Sequence, residues 1–201
     1  MLGTLFIISA PSGGGKTSLV AALLEKLSHV KVSVSHTTRA PRMGEVDGVN
    51  YFFVSEAQFK KYQQNDYFLE SANVFNNFYG TSKEWVLKEL EAGRDVILEI
   101  DWQGANHVKA QMECVSIFIV PPSKEALLER LMARKQDSDE VIASRMSKAS
   151  AEISHCHEYD YLVVNDNFEL ALEDLVNIFK AQRLRTARQK IRYKDLLETF
   201  N

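Results

Sequence analysis

Residues Ala10 to Ser18 read APSGGGKTS. Consecutive glycines followed by a lysine and a hydroxyl residue suit the binding of a polyphosphate. The glycines let backbone amides face phosphate oxygens, Lys16 reaches the outer phosphates, and the Thr17 hydroxyl is placed to hold Mg²⁺. Against G-x-x-x-x-G-K-[ST] only position 10 departs, and alanine is expected to serve there if its dihedrals stay in an allowed region. Some twenty residues on, SHTTRAPRMGEVDGVNY spans Ser35 to Tyr51 and sets Arg39 and Arg42 three apart around Pro41. Two guanidinium forks held that close repel unless a dianion lies between them, and a phosphate monoester fits. Two phosphate-handling sets in one chain imply a donor and an acceptor.

These residues need a scaffold. Runs rich in Val, Ile and Phe at 4–9, 31–34, 95–100, 115–120 and 161–165 alternate with helix-like segments, which predicts an α/β fold with a parallel sheet covered on both faces. The glycine loop then lies between the first strand and the helix SLVAALLEKL, where a helix N-terminus adds favourable charge. Asp101 follows the third run, at the carboxyl edge where such sheets bind ligands, and Glu99 faces the same side. Capping-box spacings at Ser55/Gln58, Thr81/Glu84, Asp137/Glu140 and Asp166/Glu169 predict helix starts near 56, 82, 138 and 167. Two stretches break the alternation. Residues 35–79, with short strands at 51–54 and 68–72, read as a small, mostly antiparallel insert, and RLMARKQDSDEVIASR reads as two helical pieces carrying Arg130, Arg134 and Arg145.

The chain has 201 residues, a net charge of -3, 45% hydrophobic and 25% charged residues. This fits one soluble domain with elaborations and gives no global bias toward nucleic acid or an anionic membrane. Cys114 and Cys156 are the only cysteines, which fits a reducing cytoplasm, and MLGTLFIIS reads as a buried strand rather than a targeting segment. The run from Lys180 to Lys194 holds seven Lys or Arg and no acid. Without interleaved aromatic residues it reads as a solvated or oligomer-facing surface, so no nucleic acid is expected and a homo-oligomer stays open. In HCH at 155–157, consecutive helical side chains diverge by about 100° and do not converge on one metal.

Four stretches together, the loop at 10–17, S-x-x-T-R-x-P-R-x-G-E-x-x-G-x-x-Y from Ser35, FYGTS at 78–82 and ILEIDWQG at 97–104, resemble the guanylate kinase family. With the arginines of 130–145 and VND at 164–166, the likeness spans nearly the whole chain. The resemblance implies transfer of the γ-phosphoryl group of ATP to GMP with Mg²⁺. It implies a P-loop NTPase core with a five-stranded parallel sheet (1–34, 82–125 and 151–201), a small mixed α+β insert that binds GMP (35–81) and a helical lid (126–150). It assigns Ala10, Pro11, Ser12, Gly13, Gly14, Gly15, Lys16, Thr17, Ser18 and Asn165 to ATP. It assigns Ser35, Glu70 and Thr81 to guanine, and Arg39, Arg42, Tyr51 and Tyr79 to the GMP phosphate, with Glu45 and Glu99 nearby. Lys16, Arg39, Arg42, Arg130, Arg134, Arg145 and Asp101 would serve catalysis, with Thr17 on Mg²⁺ and Asp101 reaching it through water. A glycine expected after Arg134 is Lys135, which bears on lid motion.

Local readings compete with these. Thr81 sits where an N-cap belongs, Glu70 alone would be a solvated strand residue, and helix arginines are ordinarily exposed. Two other functions share the core: a scaffold module that captures phosphorylated peptides without catalysis, and a kinase for another phosphorylated small molecule such as a ribose bisphosphate. The first would not need GGGKT, and the second would lack Ser35, Glu70 and Thr81 as a set.

Overall fold

The computed structural model describes residues 3–74, 76–133 and 138–200. Its main layer is a five-stranded sheet made of β1 (Leu5–Ser9), β2 (Val30–Val32), β7 (Asp95–Glu99), β8 (Val115–Val120) and β9 (Tyr161–Val164), in the order β2-β7-β1-β8-β9. Every pairing in it is parallel. Because β1 is central, all five of its residues are buried, and the strand reads as a continuous apolar run rather than an alternating one.

The two faces of β1 serve two separate layers. Phe6 and Ile8 join a cluster with α1 (Lys16–Lys26) and α7 (Phe168–Arg183), where Phe6 stacks on Phe179 at 3.6 Å. Leu5 and Ile7 pack with α3 (Lys83–Glu91) and α4 (Trp102–Lys109). A third, smaller cluster of Leu127, Leu131, Ile142 and Ala149 joins α5 (Lys124–Met132) to α6 (Asp139–Ile153). Helices α8 (Thr186–Arg192) and α9 (Lys194–Glu198) follow α7.

A second sheet has the order β4-β3-β6-β5, built from β3 (His36–Thr37), β4 (Phe52–Phe53), β5 (Phe68–Val74) and β6 (Asn77–Ser82), with α2 (Glu56–Gln64) against it. Here β3 pairs with β4 in parallel and the other pairings are antiparallel. Its interior is aromatic: the ring of His36 stacks on Phe52 and meets Tyr62, Tyr67 and Phe68 edge-on. That cage fixes β3, and with it the neighbouring Ser35.

Helix starts correct the sequence expectation in two places. Ser55 caps α2 as expected, accepting from the Gln58 amide, but α3 is capped by Ser82 and α7 by Asn167, each one residue later than Thr81 and Asp166. Thr81 is still paired with Glu70 in the β6 ladder, so the strand has not ended where the capping pattern places the helix. Asp137 lies outside the described residues, and Ser138 caps α6.

The base of the main sheet is tied by one buried carboxylate. Asp95, 3% exposed, accepts from the Thr4 amide at 2.8 Å, Arg183 Nε at 2.8 Å and Arg188 Nη2 at 3.3 Å, joining β1, β7, α7 and α8. Removing one partner of a buried ion pair strands the other charges. Asp95→Ala is therefore expected to lower stability by about 3–5 kcal/mol, measured by urea denaturation.

Candidate functional site

The glycine loop joins β1 to α1 at the carboxyl edge of the main sheet. Gly13 and Gly15 have φ of 90° and 93°, a region open to glycine and costly for other residues. Ala10 is not among the residues with positive φ, so alanine at the loop entrance carries no backbone strain. Helices α2 to α7 each start on a side-chain cap. Helix α1 starts on Gly15, which has none, and its first amides are left for an anion.

The loop is braced from behind. Asn165 Nδ2 donates to the Gly14 carbonyl at 2.9 Å and Arg130 Nη2 donates to the Asn165 carbonyl at 2.8 Å. Asn165 was expected to meet ATP and Arg130 to serve catalysis. Asn165 is 5% exposed, and its amide nitrogen is engaged in holding the loop's shape. Arg130 keeps a second nitrogen, Nη1, buried without a hydrogen-bond partner among the described residues. Arg145 reaches over from α6 to donate to Ser12 Oγ at 2.6 Å. Arg134 and Lys135 lie outside the described residues.

In front of the loop opens a cleft of 630 Å³, within the range of small-molecule sites. Lys16, Thr17, Ser35, Tyr51, Glu70, Tyr79, Glu99 and Asp101 all line it, so residues predicted from widely separated stretches converge. Burial pulls the Lys16 pKa down, and the facing carboxylates of Glu99, Glu152 and Asp101 oppose that shift. Asp101 caps α4 by accepting from the Gly104 amide at 2.8 Å. Its carboxylate is thereby aimed and held.

The far end of the cleft is a buried carboxyl. Glu70 is 4% exposed, and Thr81 Oγ1 donates to its Oε1 at 2.6 Å. Burial raises Glu70 to about 7, against the opposing hydrogen bond from Thr81. A solvated strand residue would show neither feature. Thr81, 1% exposed, donates its hydroxyl proton to Glu70. It acts by orienting the carboxyl.

Arg39 forms a two-pronged ion pair with Glu45 at 2.8 and 3.0 Å and lies 5.4 Å from the Tyr51 ring centroid. Glu45 also accepts from the Arg42 amide at 2.7 Å, while the Arg42 side chain is exposed. Both contacts come from one nitrogen, Nη2, one to each carboxylate oxygen, while Nη1 donates to the Ala40 carbonyl.

Sequence reasoning missed Glu152, which lines the same cleft from the last turn of α6. Its signal was its spacing of seven from Arg145, which puts both on one face of a helix. His155 stacks on Trp102 at 3.6 Å, and its Nδ1 pairs with Glu158 at 2.6 Å. No group of three or more candidate metal ligands occurs among the described residues. Burial raises the Cys114 thiol to about 11, and no described helix is long and apolar enough to cross a membrane.

A family model described as guanylate kinase matches residues 3–182. A guanylate kinase of Hahella chejuensis is 58% identical, with coverage of 96% of this chain and 93% of that protein. One from Salmonella typhimurium is 56% identical, covering 97% and 96%. Among solved structures, guanylate kinase from Anaplasma phagocytophilum superposes with a TM-score of 0.76 at 36% identity, covering 92% of this chain and 89% of that one.

The loop's geometry makes opposite demands on two neighbouring small residues. A Cβ on Gly15 would lie 2.3 Å from Asn165 Nδ2 at a positive φ. Gly15→Ala should therefore abolish detectable ATP binding in calorimetric titration, whereas Ala10→Gly should leave the affinity within about twofold.

Proposed function

The chain belongs to the guanylate kinase family and transfers the γ-phosphoryl group of ATP to GMP, giving ADP and GDP; we propose how its residues divide that work. The phosphopeptide module and the kinase for another phosphorylated small molecule are not favoured. The observation that carries the residue assignment is the placement of the phosphate loop and the buried Glu70 carboxyl in one cleft. Residues 10–18 hold the ATP phosphates, with Lys16 on the outer ones, braced by Asn165.

The acceptor sits in the 35–81 insert. Ionised Glu70 accepts from N1–H and the 2-amino group of guanine, two donors that adenine lacks, and Ser35 donates to O6. A site of paired polar groups rejects the wrong base because a mismatch leaves buried groups unsatisfied. Arg39 exchanges Glu45 for the GMP phosphate, with Arg42, Tyr51 and Tyr79 closing around it. Glu99 lies between the two nucleotides.

No general base is needed, because a phosphate monoester has its second pKa near ~6 and the attacking oxygen is already largely ionised. The residues instead align two anions and offset their charge. Lys16, Arg39 and Arg42 do so from the core and insert. Arg130, Arg134 and Arg145 do so from the 126–150 lid, which also excludes water. Thr17, at the start of α1 in the cleft that Asp101 also lines, fits Mg²⁺, which characteristically takes one or two protein ligands and completes its shell with water and substrate phosphates. Bound there it would neutralise phosphate charge. Unpaired Cys114 and Cys156 support a cytoplasmic location.

ATP-dependent turnover of GMP, and more weakly dGMP, with AMP, CMP and UMP as poor acceptors, is expected in a coupled ADP-release assay. Comparable turnover of AMP would overturn the Glu70 assignment. Lys16→Ala should lower kcat on the order of 10³-fold, and Arg39→Ala should chiefly raise the KM for GMP.

The pH dependence follows from Glu70. Its carboxyl titrates at about 7 in the empty enzyme, and the two guanine donors favour the ionised form, so GMP binding releases a proton. GMP affinity should be full above pH ~7 and fall by up to about tenfold per unit below it. Glu70→Gln should bind GMP weakly and retain only the step near ~6 that belongs to the nucleotide.

A further inference from the structure

Glu152 has no part in the transfer as described, yet it sits where the donor phosphates are expected. It lines the cleft with Lys16 and Thr17, and its charge faces Lys16. That lysine is the group that would otherwise take phosphate oxygens.

Three carboxylates face Lys16, and they differ in what carries them. Glu99 and Asp101 belong to the edge of the main sheet, and Asp101 is locked by the Gly104 amide. Glu152 rides on α6, whose Arg145 donates to Ser12 Oγ two turns earlier. One helix therefore carries both the side chain that holds Ser12 and a carboxylate that faces Lys16. That helix packs through its own small cluster with α5, so it can shift without opening the main core. Its C-terminal end is pinned by the His155–Trp102 stack immediately beyond.

We propose that Glu152 is an anionic placeholder for the phosphates of ATP. Its carboxylate faces Lys16 across the cleft, gives way when the triphosphate arrives, and returns as ADP leaves. Two roles follow from one charge. The placeholder keeps a nest of converging donors from standing unpaired, and it sets a competitor against both donor nucleotide and product, which lowers their affinity and speeds product release. This inference rests on the reading of residues 10–18 as the donor site.

The test is Glu152→Gln, which keeps shape and a hydrogen-bond acceptor and removes the charge. Calorimetric titration with Mg²⁺-free ATP, ADP and tripolyphosphate should show each binding roughly fivefold tighter than to the wild-type enzyme, with the gap closing as ionic strength is raised about tenfold. The KM for ATP should fall, and GMP affinity should move by less than about twofold. Unchanged or weaker binding of ATP and ADP overturns the proposal. A purely structural role predicts a lower melting temperature with weaker binding of both substrates, which also overturns it. Lys16→Ala in the same titration separates the two readings: if it binds ATP like the wild type, the donor-site assignment is wrong, and if it loses ATP, the Glu152 result stands on its own.

Discussion

Two phosphorylated nucleotides must be brought into line against their mutual repulsion, and the cationic groups that permit this must be stable before either arrives. An unpaired buried cation is costly. The cleft meets that cost at two cations with carboxylates: Lys16 faces Glu99, Asp101 and Glu152, and Arg39 is paired with Glu45. The acids oppose the lowering of the lysine by burial and fix the position of the guanidinium. Substrate binding then becomes an exchange of anions around fixed cations rather than the creation of new charge pairs. The exchange costs less reorganisation than assembling the site from solvent-exposed side chains.

Base recognition uses the converse device. Glu70 is buried with a single hydroxyl donor, Thr81, and a neighbouring glycine, Gly104, whose missing side chain lets α4 approach the carboxyl; a Cβ there would lie 3.3 Å from Glu70 Oε2. Burial, with the nearby Asp101 charge adding to it, raises the carboxyl to about 7. A half-protonated acid is poorly satisfied in the empty site and well satisfied by two N–H donors. On the proposed assignment of Glu70 to guanine, the energy of discrimination lies in that difference, because a ligand that supplies both donors favours the ionised form.

The architecture was readable where one local signal was decisive. The apolar run at β1, the glycines after it and the alternation of strands and helices located all five strands of the main sheet to within about two residues. Lys16, Thr17, Ser35, Tyr51, Glu70, Tyr79, Glu99 and Asp101, which motif and resemblance had singled out, meet in one cleft. Where two adjacent residues could do one job, sequence could not choose. Thr81 and Ser82 both suit a cap, and the choice turns on Thr81 being needed by Glu70 across the ladder. Asn165 and Arg130 carry polar groups suited to ATP, and nothing local reveals that the Gly14 carbonyl claims one of them. Glu152 belongs to no motif quoted from the chain, and it becomes visible only when α6 is placed against the loop.

The distribution of apolar clusters explains how such a site combines precision with movement. The main sheet is packed on both faces and tied at its base by Asp95, so the strand ends that present the loop, Glu99 and Asp101 form a rigid edge. The α5–α6 pair has only a small cluster of its own, and it meets the loop at Gly13, where a Cβ would lie 2.9 Å from Leu127. A contact between a glycine and a leucine methyl is apolar and tight but buries little area, so separating it costs little. The polar groups that tie the pair to the core are Arg130 on the Asn165 carbonyl and Arg145 on Ser12 Oγ. On the proposed reading of residues 10–18 as the donor site, occupancy of that site and the position of α6 are therefore coupled through Ser12.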